Sequence, residues 1–212
     1  MSEPPAATSQ SPPGAPEELI GFTDGRTVDV REIDEKRWLV LRPFSYQAKR
    51  ELFTVPEGER TDFASVPRPF VWFIPTYGRY TKAAILHDHL CRLALERKIS
   101  RRDADGVFRQ AMRTSGVAFL RRWIMWAAVR WGAVITPVGR QGWLRDAWLV
   151  ILISLFVAPF VLPAATVIVL TLLVWYLTEL VAWAPLVLVR RTKATSLEPP
   201  KRVNMPELTF RL

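Results

Sequence analysis

Cysteine and histidine are almost absent from this chain of 212 residues, which has one cysteine, Cys91, and two histidines, His87 and His89. A single thiol excludes an internal disulfide, which agrees with a reducing cytoplasm. All three residues fall in one apolar stretch, AAILHDHLCR, at positions 83–92. The two histidines are two residues apart and diverge on a helix, so they are disfavoured as a zinc clamp.

Charge is absent from a second stretch, residues 147–189, apart from one glutamate. A helix needs about 20 apolar residues to cross the hydrocarbon core of a bilayer, so this stretch is long enough for two spans. Pro159 and Pro163 interrupt a helix ladder, and we therefore predict a transmembrane helical hairpin of residues 143–161 and 164–187. A buried pair of core helices is the alternative, but the stretch is too long and too uniformly apolar for it.

Basic residues flank the predicted hairpin on both sides: Arg140 and Arg145 before it, Arg190, Arg191 and Lys193 after it. Because positive loops stay in the cytoplasm, we expect a multi-pass protein of the inner membrane with both ends cytoplasmic. Glu179 is expected near the membrane interface, with a functional acid inside the membrane as the alternative. The N-terminus is rich in Pro, Ser and Ala and has no apolar core, so we expect a disordered leader and no signal peptide. The predicted segments are a leader (1–17), a cytoplasmic domain (18–140), the hairpin (141–189) and a basic tail (190–212).

The net charge of +9 is concentrated between Arg92 and Arg145, where twelve Arg or Lys residues face three acidic residues. So basic a surface beside a membrane attracts anionic headgroups. No nucleic-acid motif accompanies it, so nucleic acid is disfavoured as a partner. The predicted headgroup contacts are Arg101, Arg102, Arg121, Arg122, Arg130, Arg140 and Arg145.

The predicted fold is α+β, a small β region packed with a three-helix segment. Alternating and β-branched residues between positions 18 and 68 predict strands. The apolar periodicity predicts one helix from Tyr80 to Glu96, a second beginning at Ser100 with Asp103 in a capping-box position, and a third over residues 117–133. The connection between the first two is short, so they should be antiparallel neighbours.

The first two helices carry a candidate site. His87 lies on the packed face of the first helix and His89 on the opposite, solvent side, while Asp105 lies at the edge of the apolar face of the second. A carboxylate from a second helix can orient a histidine and fix its tautomer. We predict His87 as a general base and Asp105 as its orienting partner.

Two further carboxylates complete this hypothesis. Asp88 and Asp62 are the predicted ligands of a divalent cation, Ca²⁺ or Zn²⁺, although the cofactor stays undetermined. Two alternatives remain open. His87 and Asp105 can be a structural hydrogen-bond pair in the core, and Cys91 can pair with His87 as a thiolate or be a small buried hydrophobe.

Four blocks in order, VPEGERTDFASVPR, YTKAAILHDHLCR, SRRDADGVFRQAM and MWAAVRWGA, resemble the phage- and prophage-associated family known as domain of unknown function 1353, over about residues 22–133. The resemblance implies a phage or prophage origin and no particular reaction. The apolar stretch looks like an addition to the family's short domain.

HDHLCR followed by RRDADGVF is also similar to the active-site helices of bacterial-type phospholipase A2. That similarity implies His87 as base, Asp88 as calcium ligand and Asp105 as the partner of His87. The paired cysteines and the glycine-rich calcium loop of those enzymes are missing.

Two functions follow from the sequence. The first is a metal-assisted hydrolase that acts at the membrane through the His/Asp site. The second is a non-enzymatic phage or prophage membrane protein that contacts a phage or host-envelope protein and uses the His/Asp cluster as a structural network.

Overall fold

The computed structural model describes residues 20–25, 27–49, 51–64 and 66–193, with helical side chains described as far as Pro185. These residues form six short strands, a 3-10 turn and five helices, which confirms the predicted α+β class. The predicted leader and most of the predicted tail lie outside the described residues.

The strands form two antiparallel sheets of three strands each. One sheet has the order β1 (Gly21–Phe22), β4 (Phe44–Gln47), β5 (Leu52–Val55), and the other has the order β2 (Val30–Glu32), β3 (Trp38–Val40), β6 (Arg60–Thr61). Alternate residues of β4 and β5 are buried, as a two-residue side-chain period requires when one face meets a core. Tyr46 pairs with Phe53 and Phe44 with Val55 across these two strands. The sheets thereby supply one wall of the core.

Three helices supply the other wall. They are α1 (Thr81–Leu95), α2 (Arg101–Thr114) and α3 (Phe119–Ala133), each packed on the next. Ser100 caps α2 by accepting a hydrogen bond from the backbone of Asp103 and donating one to its carboxylate, so the cap predicted at Ser100 is confirmed. Phe108 is buried between the helices, and burial of such a ring contributes about 1.5–3 kcal/mol.

The short α4 (Pro137–Arg140) leads into α5, a single helix over Trp143–Lys193. The sequence predicted two helices here, so the predicted break is wrong for this structure. Pro159, Pro163 and Pro185 all lie inside the helix. A helical hairpin needs a turn, and the segment APFVLPAA contains no Gly, Asn or Asp to make one. The prolines therefore remove single hydrogen bonds without reversing the chain.

The two halves of α5 have different surroundings. The first half packs on α3, where Val150 is fully buried among Trp126 and Ala127, and α5 also contacts the 3-10 turn Arg68–Phe70. Along this helix Val161 and Ala165 are the last buried residues among those described. From residue 166 to Pro185 the side chains are exposed or half-buried. We call residues 166–185 the free half of α5.

Candidate functional site

The predicted helix pair brings His87 and Asp105 into contact. His87 Nε2 lies 2.7 Å from Asp105 Oδ1, and both side chains are buried. Phe108, one turn after Asp105, packs its ring on the imidazole with the centroids 4.6 Å apart. The sequence predicted that Asp105 would lie about one helical turn away from His87 along the helix axis. The angle at which α1 and α2 cross brings the two side chains into contact.

Two arginines complete the surroundings of Asp105. Arg101 Nε donates to Oδ1 over 3.1 Å, and Arg130 Nη1 donates to Oδ2 over 3.0 Å. Arg130 comes from α3 and is fully buried, so the sequence prediction that it contacts lipid headgroups is wrong. A buried guanidinium needs a carboxylate partner, and Asp105 supplies it.

The network continues to the start of α5. Asp146 lies 3.4 Å from Arg130 Nη2 and accepts two hydrogen bonds from Arg102, at 2.9 and 3.0 Å. Trp143 also donates its indole hydrogen to the carbonyl of Arg130 over 2.9 Å. We call this set the charged cluster; its members are His87, Arg101, Arg102, Asp105, Arg130 and Asp146. It joins four helices.

Burial and the neighbouring charges determine which of His87 and Asp105 carries a charge. Burial and the nearby charge of Arg101 lower the pKa of His87 against the raising effect of Asp105, so the imidazole is neutral at pH 7. Burial raises the pKa of Asp105, but its hydrogen bonds to His87 and the arginines outweigh burial and bring that pKa below its ordinary value. A neutral imidazole has one N–H, and Asp105 accepts it from Nε2, so Nδ1 is the basic nitrogen.

Cys91 is the neighbour of that imidazole. Its Sγ lies 3.8 Å from Nδ1 and 3.5 Å from Nε2 of His87. Burial raises the pKa of Cys91 to about 12, so the residue is a thiol at neutral pH. Of the two alternatives for Cys91, the structure favours the small buried hydrophobe over the thiolate nucleophile.

Asp88 does not fit the predicted role of a metal ligand. Its Oδ2 accepts a hydrogen bond from Thr61 over 2.5 Å, and burial, together with the negative charges of Asp62 and Glu59, raises its pKa to about 8. Asp62 is exposed. Among the residues that the structure describes, no three His, Cys, Asp or Glu side chains are grouped to hold a metal ion. The residues present therefore do not fit Ca²⁺ or Zn²⁺.

His89 was expected to face solvent, but it contacts Glu59, the residue that precedes β6. Its Nδ1 lies 2.7 Å from Glu59 Oε2, and the side chain is 15% exposed. Arg92 pairs with the same glutamate and also donates to the carbonyl of Arg60 over 2.8 Å. These contacts attach α1 to the strand that ends at Thr61.

Sequence reasoning missed several members of these networks. Arg101 precedes Asp105 by four residues, a spacing that places two helical side chains on one face, so this partner was available from the sequence. Arg130, Asp146 and Glu59 come from distant segments, and their spacing carries no such signal.

Two clefts in the described part of the structure lie elsewhere. They have volumes of about 630 and 340 Å³ and are lined by the first turns of α2 and α5 and the outer face of α2. His87 lines neither of them. The His–Asp pair is thus closed off from these clefts.

Fold and site together define a small α+β domain that encloses a charged cluster between helices and continues into a long apolar helix. Residues 38–129 match the family described as protein of unknown function (DUF1353). The family predicted from the four sequence blocks is thereby confirmed, with a somewhat shorter match. The resemblance to phospholipase A2 is not confirmed. No curated protein and no solved structure matches the chain.

Proposed function

We propose that this protein is a membrane-anchored, non-enzymatic DUF1353 protein whose charged cluster is structural. One observation carries the proposal. The most apolar window of the helix segment Trp143–Pro185 has a mean hydropathy of 2.5, and only 11% of that window is buried. So much exposed apolar surface is unfavourable in water and indicates a membrane or protein contact.

The free half of α5 has the dimensions of one membrane span. Its 20 residues rise about 30 Å as a helix, which equals the thickness of a bilayer's hydrocarbon core. Its exposed side chains include Val167, Leu170, Val174, Trp175 and Val181. The one acid in this half, Glu179, accepts a hydrogen bond from Trp175 over 2.8 Å. The free half is therefore our proposed transmembrane segment.

The first half of α5 is apolar on the side that faces away from the domain. Leu144, Trp148, Leu155 and Phe156 are 60–83% exposed there. Nearby α3 exposes Phe119 and Trp131 as well. A helix that is covered on one side and apolar on the other is suited to the interfacial layer of a membrane. We propose that this half lies in that layer and that the helix bends near Pro163.

The charge of the domain supports a cytoplasmic location as part of this proposal. The basic excess between residues 92 and 145 precedes the helix, and positive segments are retained in the cytoplasm. A single crossing by the free half then puts the C-terminus outside, together with Arg190, Arg191 and Lys193, whereas a two-span hairpin would keep these basic residues in the cytoplasm. Fusions to each end of a reporter that works only in the cytoplasm test this. We expect activity at the N-terminus alone, and activity at the C-terminus as well would instead support the predicted two-span hairpin.

The anchor itself is tested by extraction. Membranes from cells that express the full chain are washed with alkaline carbonate, which releases peripheral proteins and leaves integral ones in the pellet. We expect the protein in the pellet. Recovery in the supernatant as a folded species would refute the anchor.

One observation favours a second candidate, a hydrolase that uses His87 as base. The 2.7 Å contact with Asp105 orients the imidazole and leaves Nδ1 basic, as general-base catalysis requires. Burial of His87 and the closed surroundings argue against it. The replacement His87→Gln keeps a donor for Asp105 but removes the base, so unchanged biological activity with this variant would eliminate the hydrolase. The predicted phage or host-envelope partner remains a proposal for affinity capture from membranes.

A further inference from the structure

The larger cleft lies at the base of α5, where the domain meets the proposed membrane. It has a volume of about 630 Å³. The first turn of α2 forms one side, and the segment that enters α5 forms the other. Its lining residues are Ser100, Arg102, Asp103, Arg140, Gln141, Gly142, Leu144 and Arg145.

The lining carries a positive excess. Three arginines face one acid, and that acid, Asp103, accepts a hydrogen bond from Ser100 over 2.6 Å. Arg102 is paired with Asp146 outside the lining. Arg140 donates from Nε to the carbonyl of Val134 over 2.7 Å, but both Arg140 and Arg145 are exposed, so their positive charge is available to a ligand.

Two helices begin at this cleft. α2 begins at Arg101, just after Ser100, and α5 begins at Trp143, just after Gly142. The backbone N–H groups of a first helical turn lack partners within the helix and carry partial positive charge. Gly142 has φ +72°, a conformation that glycine adopts readily, and it lets the chain turn sharply into α5. Ser100 and Asp103 already occupy the start of α2, and Asp146 lies in the first turn of α5, so Arg140 and Arg145 are the groups that attract an anion to this cleft.

We propose that this cleft binds the phosphate group of an anionic phospholipid. The inference rests on the membrane anchor proposed above. Guanidinium groups bind phosphate through paired hydrogen bonds. Leu144 lines the same cleft and is 83% exposed, and Trp148 follows one turn later on α5. A phosphate held by Arg140 and Arg145 thus has an apolar helix surface beside it for the acyl chains, which a free phosphate ion does not use.

The experiment is a titration of the full chain in zwitterionic detergent, followed by native mass spectrometry. The probes are dihexanoyl phosphatidic acid, dihexanoyl phosphatidylcholine and inorganic phosphate. We expect one phosphatidic acid per chain, bound at least tenfold more tightly than either of the other two. The variant Arg140→Gln/Arg145→Gln should weaken that binding at least tenfold.

The matched control is Arg113→Gln/Arg121→Gln, which removes the same charge from exposed positions outside the cleft. It should change the affinity less than twofold. An equal loss in both double variants would mean general charge attraction and overturn the site. Inorganic phosphate that binds as tightly as the lipid would overturn the lipid assignment. Because the titration uses detergent, failure of the membrane anchor does not affect it, and the cleft variant should remain in the carbonate pellet.

Discussion

The domain and the free half of α5 are built in opposite ways. The domain encloses charge: Asp105 and Arg130 are fully buried and contact each other. The free half displays hydrocarbon: Val174 and Val181 are more than 60% exposed. A buried charge is tolerated only with a partner, and an exposed apolar helix only in an apolar solvent.

By these surfaces the domain suits water, and the free half suits an apolar medium. The charged cluster keeps its ion pairs within the protein and joins α1, α2 and α3 to the first turn of α5 through Asp146. The orientation of α5 is thereby linked to the packing of the domain.

The largest effect is expected from charge in the free half. Leu173→Lys/Leu177→Lys places two ammonium groups in the proposed span, at about 2.5–3.5 kcal/mol each. The protein should move from the carbonate pellet to the soluble or aggregated fraction. The control Leu41→Lys/Leu95→Lys alters exposed leucines of the domain and should leave the protein in the pellet. Identical pellet fractions for both would show that the free half is not the anchor.

The next effect is in the charged cluster. Asp105→Asn keeps the shape but leaves the buried Arg130 without its carboxylate, at about 3–5 kcal/mol. Thermal unfolding in detergent should show a lower Tm by about 10 °C, since 1 kcal/mol corresponds to about 2–4 °C at this size. Asp103→Asn, an exposed neighbour on the same helix, should lower Tm by only a few degrees. A neutral Asp105→Asn would contradict the structural role.

The pH dependence of stability depends on Asp88. Its pKa is raised to about 8, so the folded protein keeps a proton that the unfolded chain loses above about pH 4. Asp88 therefore makes the free energy of unfolding fall as pH rises from about 4 to about 8, by up to about 1.4 kcal/mol per pH unit. Asp88→Asn should remove this contribution. Chemical unfolding at pH 5, 6 and 7 measures it, and equal slopes for both proteins would disprove the assignment.

The smallest effect is expected for His87→Gln. The amide can still donate a hydrogen bond to Asp105. We therefore expect the free energy of unfolding to fall by only about 1 kcal/mol, the net contribution of one hydrogen bond. The loss of stability in His87→Gln should therefore be smaller than the loss in Asp105→Asn. A loss for His87→Gln as large as for Asp105→Asn would mean that the imidazole contributes as much to the cluster as the carboxylate, which contradicts this order of effects.

The sequence predicted much of the helical site. Apolar spacing placed His87 in the core, and the short connection between α1 and α2 placed Asp105 near it. The partners of His89 and Asp88 were not predicted, because Glu59 and Thr61 lie about 30 residues earlier in the chain. A helical wheel assigns a side to a residue but does not say whether that side meets solvent or a strand.

Arg130 and the proline segment show the same limit. An arginine in an apolar helix reaches either a headgroup or a buried carboxylate, and only the packing of α3 on α2 selects Asp105. Likewise, Pro159 and Pro163 weaken a helix locally, and without a turn sequence the helix continues. Local patterns give the alternatives, and long-range contacts select among them.

By itself, then, the sequence determined the α+β class, the match to the DUF1353 family over residues 38–129, the apolar length of α5 and the interior position of His87, because these depend on composition and on local patterns. The tertiary structure alone decided that Asp105 is shared by His87, Arg101 and Arg130, that Asp88 is paired with Thr61, and that arginines gather at the base of α5. Those contacts join distant segments, and a carboxylate's partner is set by which charged groups the fold brings within about 3 Å of it.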